Sequence, residues 1–239
     1  MRIVTLPGVF RPISDSWLLA ESLREQRLGP GTSVLDVCTG SGALAVCAAR
    51  AGAGRVTAVD VSRRSVATAW INARLNGASV RALRSDLFSA LGDERYDVIA
   101  SNPPYVPHPR DEVPTRGRRR AWDAGRDGRA VLDRLIAEAP GHLHDGGTLL
   151  VVHSEICGTE ATLDAMATAG LSAEVLTRHR GPLGPLMRER VDHLRAQGAL
   201  AAGQTHEEVV VIAGRRARPA AQPSPATAAA AVPTFSTTT

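Results

Sequence analysis

A tight turn of sequence Asp36-Val37-Cys38-Thr39-Gly40-Ser41-Gly42 joins an apolar run, residues 32 to 37, to a helical pattern over residues 43 to 50. Gly40 and Gly42 permit positive φ and let the backbone approach a ligand at the carboxyl end of a strand, where open α/β sheets bind ligands. The turn is not the dinucleotide-binding G-x-G-x-x-G. The chain contains no lysine, which excludes a phosphate-binding loop and Schiff-base chemistry. We therefore predict a strand, a ligand-binding turn and a helix.

Acidic residues follow the next two apolar runs. The run 55 to 59 ends at Asp60, about 20 residues beyond the glycines, the separation at which an acidic side chain meets ribose hydroxyls in nucleotide-binding folds. The run 80 to 83 is followed by Asp86, which can accept a hydrogen bond from an adenine amine. Taken singly, Asp36, Asp60 and Asp86 could each be an ordinary cap or turn residue. Jointly, at the ends of consecutive strands, they predict one binding site.

A fourth apolar run, 96 to 100, leads into Asn102-Pro103-Pro104-Tyr105. The prolines fix φ and lack N–H donors, so the loop cannot become helical and its carbonyls stay directed into a site. A carboxamide oxygen and a backbone carbonyl can grip both N–H groups of a planar NH2 whose lone pair is delocalised, and Tyr105 offers a flat stacking face. The motif alone is also compatible with a strand that ends in a proline turn. Beside the acidic residues, it predicts catalysis on a planar amino nitrogen by Asn102, Pro103, Pro104 and Tyr105.

In this order the motifs resemble the class I S-adenosylmethionine-dependent methyltransferases, specifically the HemK/PrmC-like glutamine-N5 protein methyltransferases, from about residue 10 to residue 213. The resemblance implies S-adenosylmethionine as cofactor and a Rossmann-like α/β fold: a seven-stranded, mostly parallel sheet, helices on both faces and a last strand inserted antiparallel. The family commonly has glycine where this chain has Cys38. The residues that the resemblance assigns to the cofactor are Ser16, Asp36, Cys38, Thr39, Gly40, Gly42, Asp60, Asp86, Leu87 and Asn102.

The N-terminal region resembles the short branch of that family, at Arg11-Pro12-x-x-Asp15-Ser16 before a helical pattern. In the family this element lies over the cofactor, and its hydroxyl residue contacts the methionine end. Ser16 is predicted as the N-cap and Gly29 as the stop, although a capped helix packed on the sheet explains the same residues. We expect a helical segment over residues 1 to 30, a methyltransferase domain over 31 to 213, and a disordered tail over 214 to 239. The domain that docks the release factor in longer members is expected to be absent.

Composition limits the remaining possibilities. The 239 residues, 44% of them hydrophobic, can bury one substantial core. No apolar run reaches the roughly 18 residues of a membrane span, and no secretory signal is evident, so we expect a soluble cytoplasmic protein without a membrane partner. Three scattered cysteines predict neither a disulfide framework nor a metal site. From residue 215 onward the chain is rich in Ala, Pro, Ser and Thr, which cannot offset ordering entropy by burial.

The remaining segments continue the α/β alternation. We predict strands at 148–152, 173–177 and 208–213, a turn at 145–147, helices at 129–139 and 159–169, and an amphipathic helix within 182–197. Trp122 either walls the substrate channel or anchors the core. The arginine cluster after the proline motif could contact RNA, but a solvated loop is favoured; it consists of Arg116, Arg118, Arg119 and Arg120.

The predicted reaction is methyl transfer to a planar amide, with the glutamine of a release-factor Gly-Gly-Gln motif favoured as acceptor. An adenine-N6 or cytosine-N4 nucleic-acid methyltransferase is the first alternative; little chain remains for a DNA-reading module, so structured RNA is the more plausible target of that kind. Methylation of a small molecule and a catalytically idle cofactor-binding protein also stay open. Some short-branch relatives work with a small zinc-containing activator subunit, which is therefore a possible partner.

Overall fold

The computed structural model describes residues 1–110, 113–114 and 117–218. Seven strands in the described chain form a single sheet. They are β1 (Ser33–Val37), β2 (Arg55–Asp60), β3 (Arg81–Arg84), β4 (Tyr96–Ser101), β5 (Leu143–Ser154), β6 (Leu171–Pro182) and β7 (His206–Arg216).

The helices of the described residues alternate with these strands. They are α1 (Ser14–Arg24), α2 (Ala43–Arg50), α3 (Arg63–Leu75), α4 (Ala130–Glu138), α5 (Thr159–Thr168), α6 (Pro185–Arg188) and α7 (Val191–Ala196). Short 3-10 turns cover Arg118–Ala121, Ala139–His142 and Glu155–Cys157.

The strand order is β3-β2-β1-β4-β5-β7-β6. Strands β1 to β5 pair in parallel, whereas β7 lies between β5 and β6 and is antiparallel to both. The predicted seven-stranded, mostly parallel sheet with an inserted antiparallel strand is confirmed. Because the order reverses between β1 and β4, the chain leaves these neighbouring strands in opposite directions and opens a crevice at their carboxyl ends.

Helices cover both faces of the sheet, as the sequence predicts. Strand β1 is buried along its whole length, so its alternating side chains enter two different cores. Val34 packs with Leu19 of α1 and Leu44 of α2 on one face. Leu35 packs on the other face with residues of α4 such as Leu132. Each fully buried leucine contributes about 1.5–3 kcal/mol by its removal from water.

Three predicted boundaries are wrong at the carboxyl half of the sheet. Residues 145–147, predicted as a turn, lie inside β5, where the pairing with β4 shifts register between Tyr96 and Val98. The sheet absorbs the glycine-rich stretch as an irregularity because Gly146 adopts a φ of 80°. Strand β6 continues to Pro182, and the predicted helix after it is divided into the short helices α6 and α7.

The predicted tail begins too early. Strand β7 continues through Gly214, which pairs with Leu149, to Arg216. Arg216 donates hydrogen bonds to the carbonyls of Pro140 and Leu143 at 2.5 and 3.0 Å. The rest of the predicted tail, residues 219–239, lies outside the described residues.

The ends of α1 also differ from expectation. The helix begins at Ser14 after Ile13, without a side-chain cap, and it ends at Arg24 rather than near Gly29. Ser16 is therefore a residue of the first turn, and its hydroxyl makes tertiary contacts instead of capping. Within the described part of the chain, no helix combines the length and the apolar character that crossing a membrane requires.

Candidate active site

A cavity of about 690 Å³ lies at the carboxyl ends of the parallel strands, beneath the first turn of α1. Most of the residues that the sequence assigned to the site line this cavity. They are Ser16, Cys38, Thr39, Gly40, Asp60, Asp86, Leu87, Asn102, Pro103, Pro104 and Tyr105.

The glycine turn and Asp60 are joined by hydrogen bonds. Asp60 Oδ2 accepts from the backbone N–H of Gly40 at 3.0 Å, and Oδ1 accepts from the backbone N–H of Ser62 at 2.7 Å. Burial raises the pKa of the Asp60 carboxyl, and these two hydrogen bonds oppose that rise. Asp86 differs, because its carboxylate is exposed and ion-paired with Arg134 at 3.4 Å. The two acids thus offer one half-buried and one exposed carboxylate to the same cavity.

Asp36 and Gly42 do not line the cavity. The Asp36 carboxylate is buried and accepts hydrogen bonds from the Thr39 hydroxyl and from the Ala45 N–H, so it shapes the turn from behind. Burial raises its pKa to about 7, against those two hydrogen bonds. Gly42 has a φ of 79°, and a Cβ there would stand 2.7 Å from the Cα of Ala69 in α3. In this structure Asp36 therefore fixes the geometry of the turn, and Gly42 allows the start of α2 to pack closely against α3.

Two non-glycine residues of the cavity wall adopt left-handed backbone conformations. Cys38 has a φ of 58° and Leu87 a φ of 47°. Such conformations cost on the order of 1–3 kcal/mol and cluster at ligand sites when surrounding structure enforces them. At Cys38 this conformation explains why glycine is expected there. The Cys38 thiol packs against the core, and burial raises its pKa, so it is an unreactive wall residue.

A chain of hydrogen bonds ties the proline motif to α1. Asn102 Nδ2 donates to Ser16 Oγ at 3.0 Å, and Ser16 Oγ donates to Asp15 Oδ1 at 3.2 Å. The Tyr105 hydroxyl donates to Asp15 Oδ2 at 2.7 Å. Burial, the negative charge of Asp15 and this hydrogen bond raise the pKa of Tyr105, so its hydroxyl stays protonated. Asp15, which was not among the site residues predicted from the sequence, therefore connects both ends of the proline motif.

Contacts from Cys157, Gly128 and Trp122 hold the backbone at the end of the proline motif. Cys157 Sγ contacts the Tyr105 carbonyl at 3.0 Å, and Gly128, at a φ of 77°, packs so close that an added Cβ would lie 2.3 Å from the same oxygen. The Val106 N–H donates to the Trp122 carbonyl at 2.7 Å. Trp122 packs against the small core around Val106, as one of the two predictions has it, and it also lines the cavity; its place in a substrate channel stays a prediction.

Buried charge fixes the segment that carries Trp122. Asp123 is fully buried and pairs with Arg190 of the α6–α7 region and with Arg119 at 3.0 Å. Arg190 also donates to the Pro107 carbonyl at 2.6 Å. Arg119 is thus engaged within the fold, and Arg120 lines the cavity. Arg119 is exposed, as the solvated loop predicts, although it is ion-paired, whereas Arg120 is half-buried and the prediction is wrong there. Arg116 lies outside the described residues.

Glu207 is a site residue that sequence reasoning missed. It is buried, lines the cavity, and accepts hydrogen bonds from the Ser154 hydroxyl and from the Gly184 N–H at 2.7 Å. It thereby holds the segment around Gly184, in which Leu183 and Met187 form part of the cavity wall. Strand alternation places Glu207 on the face of Val209, but sequence does not reveal which face is covered at that end of β7.

Comparison with known proteins agrees with this architecture. A family described as the methyltransferase small domain matches residues 1–116. A protein of Methanocaldococcus jannaschii named as a protein N5-glutamine methyltransferase is 34% identical over 181 residues, which are 76% of this chain and 90% of that protein. The release factor glutamine methyltransferase of Geobacter sulfurreducens is 36% identical over 154 residues, 62% of this chain and 54% of its own. This chain therefore spans about half the length of the Geobacter relative.

Two solved structures share the fold. One is RsmC of T. thermophilus, a 16S rRNA N2 methyltransferase solved with AdoMet and guanosine, with a TM-score of 0.60 and 26% sequence identity. The similar region covers 89% of this chain and 46% of RsmC. The other is the Mtq2–Trm112 complex of E. cuniculi, which methylates the termination factor eRF1, with a TM-score of 0.60 and 21% sequence identity. The similar region covers 88% of this chain and 99% of the matched chain.

Fold and site together define a class I methyltransferase that uses S-adenosylmethionine. The chain belongs to the HemK/PrmC-like protein N5-glutamine methyltransferase family.

The residues present fit that cofactor. The backbone of the Gly40 turn and the Asp60 carboxylate stand side by side, which suits a ribose and an amino-acid tail, and Asp86 can accept from an adenine amine. Val61 and Val131 add apolar wall. Asp60 and Glu207 place negative charge around the cavity, which favours a cationic sulfonium. These contacts to the cofactor remain predictions at the level of single residues.

Proposed function

We propose that this enzyme methylates the side-chain amide nitrogen of a glutamine in a protein. The observation that carries the proposal is the orientation of Asn102. Its Nδ2 is committed to Ser16, so the amide oxygen is the end left to accept a hydrogen bond in the cavity. An acceptor oxygen beside a proline-fixed loop suits an NH2 group with two donors and no basic lone pair.

The cofactor supplies a methyl group on a positively charged sulfur. The Asn102 oxygen and the Pro103 carbonyl would accept hydrogen bonds from the two N–H groups of the substrate amide and would orient its nitrogen toward that methyl group. Positive charge develops on this nitrogen during transfer, and the two oxygen dipoles stabilise it without having to reorganise. Tyr105, pinned to Asp15, presents its ring as a wall for the planar amide. The proton leaves the methylated nitrogen to water.

A Gly-Gly-Gln motif of a translation release factor is the acceptor we favour. A glutamine that follows two glycines stands on a backbone with little side-chain bulk, so it can enter between the Trp122 side and the Leu183–Met187 wall. The family relatives named above support this choice, since one is a release factor glutamine methyltransferase.

A nucleobase amine is the second candidate. It is favoured by one observation, the similarity to RsmC, which was solved with guanosine. An exocyclic amine is also planar with a delocalised lone pair, so Asn102 and Pro103 could hold it equally well. A base would enter as an unstacked nucleotide, which makes RNA loops the preferred form of such a substrate.

The test is a mass spectrum of a release factor after incubation with enzyme and S-adenosylmethionine. We expect the Gly-Gly-Gln glutamine to gain the mass of one methyl group in place of one hydrogen. The Asn102→Ala enzyme should lose methyl transfer while it binds cofactor nearly as well as wild type, because the amide oxygen of Asn102 binds the substrate amide. Asn76→Ala is the matched control, since Asn76 is bonded to Arg2 away from the cavity.

Two further arms separate the alternatives. In the first, the enzyme is incubated with a cell lysate and methyl-labelled S-adenosylmethionine. Label that disappears with nuclease rather than protease would support RNA and contradict the glutamine proposal. Each reaction is run with and without a small zinc-containing activator subunit, the partner that the sequence resemblance suggests. A release-factor glutamine that stays unmodified in both conditions would overturn the favoured acceptor.

A further inference from the structure

We propose that Asp15 is a positioning residue for the reaction, which sets the orientation of the Asn102 carboxamide through the Ser16 hydroxyl. The inference rests on the proposed function only for the identity of the acceptor, because any planar NH2 acceptor needs the same Asn102 oxygen.

The argument follows the direction of the hydrogen bonds. An ionised carboxylate has no proton to donate, so both hydroxyl groups that contact Asp15 must donate to it. The Ser16 hydroxyl has a single proton, which it gives to Asp15 Oδ1 at 3.2 Å. Its oxygen can then only accept from Asn102, at 3.0 Å. The group of Asn102 that can donate is its NH2, so the amide oxygen must be at the other end.

Burial makes this arrangement effective. Asp15 is 2% exposed and Ser16 is 5% exposed, so bulk water does not provide alternative partners for the chain of bonds. The Ser16 N–H also donates to Asp15 Oδ1 at 2.6 Å, which holds the carboxylate in place. In a buried site, reversing one hydrogen bond of a connected chain strands a donor or acceptor elsewhere. The wrong orientation of the Asn102 amide is therefore disfavoured before any substrate arrives.

The same carboxylate also fixes the far end of the proline motif. Asp15 Oδ2 accepts from the Tyr105 hydroxyl at 2.7 Å, while Oδ1 serves Ser16. The Asp15 side chain thus holds the Asn102 amide indirectly, through Ser16, and the Tyr105 ring directly. Asn102 lies 86 residues from Ser16 and Tyr105 lies 90 residues from Asp15, so only the docking of α1 over the sheet brings them together.

The principal variants are Asp15→Asn and Ser16→Ala. Asp15→Asn keeps the shape but can donate a hydrogen bond to Ser16, which allows the chain to reverse. Ser16→Ala removes the acceptor of the Asn102 NH2. For both we expect kcat to fall by about tenfold or more, as for the loss of one well-placed positioning contact. For Asp15→Asn, the acceptor KM and the cofactor Kd should stay within about threefold of wild type.

The chain offers close controls. Asp97 Oδ2 accepts from the Ser33 N–H at 2.8 Å and from the Ser33 hydroxyl at 2.7 Å, a similar aspartate–serine pair at the opposite edge of the sheet. Ser22 of α1 is buried and bonds the Leu18 carbonyl away from the cavity. Asp97→Asn and Ser22→Ala report the cost in melting temperature of such losses and should leave kcat unchanged.

A second readout needs no acceptor. The chain has three asparagines, Asn72, Asn76 and Asn102, so selective ¹⁵N-asparagine labelling yields three side-chain amide pairs. The Asn102 pair is assigned by its loss in Asn102→Asp. We expect the NMR signals of the Asn102 pair to shift in Ser16→Ala and in Asp15→Asn, and not in Ser22→Ala. In Asp15→Asn the new asparagine adds a fourth pair of signals.

The outcomes separate the two claims. A kcat within about twofold of wild type, or an Asn102 pair unmoved in both variants, overturns the positioning role. It is also overturned if Asp97→Asn or Ser22→Ala, at a similar loss of melting temperature, lowers kcat as much as Asp15→Asn and Ser16→Ala do. If wild type leaves glutamine unmodified, the proposed function fails, and kcat is measured on whichever planar amine wild type does methylate.

Discussion

The Asp60 carboxylate accepts a hydrogen bond from the backbone N–H of Gly40 at 3.0 Å. A residue expected to bind the ribose therefore also holds the glycine turn expected to bind the amino-acid end of the cofactor. The pairing of β1 with β2 brings the two strand ends side by side, with Val37 opposite Val59. The two halves of the cofactor site are thus structurally coupled.

Asp60→Ala should weaken S-adenosylmethionine binding by about 2–3 kcal/mol, the range for losing hydrogen bonds to a charged group and leaving partners unsatisfied. Titration calorimetry measures the affinity, and a thermal melt checks that the variant is folded. Asp97→Ala, which removes a carboxylate bonded to Ser33 at the opposite sheet edge, is the control. Unchanged affinity in folded Asp60→Ala protein would contradict the assignment of Asp60.

Gly128→Ala should reduce methyl transfer strongly. An added Cβ would lie 2.3 Å from the Tyr105 carbonyl oxygen, and the φ of 77° is unfavourable for alanine, so the loop that carries Tyr105 must move. Gly170→Ala is the matched control, because its φ is 81° but nothing lies within 4 Å of the added atom. That control should cost about 1 kcal/mol of stability from backbone strain alone and keep wild-type turnover. Equal turnover in the two variants would refute the packing argument.

Asp36 should make stability depend on pH. Its pKa is raised from 3.8 to about 7 by burial, so between these values the folded state holds a proton that the unfolded state has lost. The contribution of Asp36 to stability therefore falls as pH rises from about 4 to about 7 and is constant above. Urea unfolding of wild type and Asp36→Asn should give a free-energy difference that shifts in favour of the variant across this interval.

The comparison must be between variants, because buried His153 acts in the opposite sense. Burial lowers the pKa of His153 from 6.5 to about 4, so its contribution to stability rises with pH over roughly the same interval. Subtracting the wild-type curve from that of Asp36→Asn removes the histidine contribution. A difference that is constant from pH 4 to pH 8 would show that Asp36 is ionised throughout.

Deleting residues 219–239 should leave melting temperature and turnover unchanged, since their Ala-, Pro- and Thr-rich composition cannot form a core. The cut belongs after Arg218, because the Arg218 side chain packs beside Gly146 and Arg216 bonds the Pro140 carbonyl. Loss of turnover in the truncated protein, with its melting temperature preserved, would assign the tail a functional role.

The strand-end residues were predictable because parallel strands direct their carboxyl ends to one edge of a sheet. Asp60, Asp86 and Asn102 are each recognisable from an apolar run followed by a polar residue, and all three line the cavity. The ends of β5, β6 and β7 were not predictable, because the antiparallel pairing of β6 with β7 extends both strands beyond their apolar centres.

Local sequence was sufficient for the order of elements, the glycine turn and the position of Asn102-Pro103-Pro104-Tyr105 after β4, since each depends on residues adjacent in the chain. The hydrogen-bond network of the site could be seen only in the tertiary structure. Asp36 proved to support the turn from behind, Glu207 to hold the wall around Gly184, and Asp15 to bind Tyr105. Such contacts join residues far apart in sequence, and a buried carboxylate acquires its partner from the packing of whole elements, which no local pattern records.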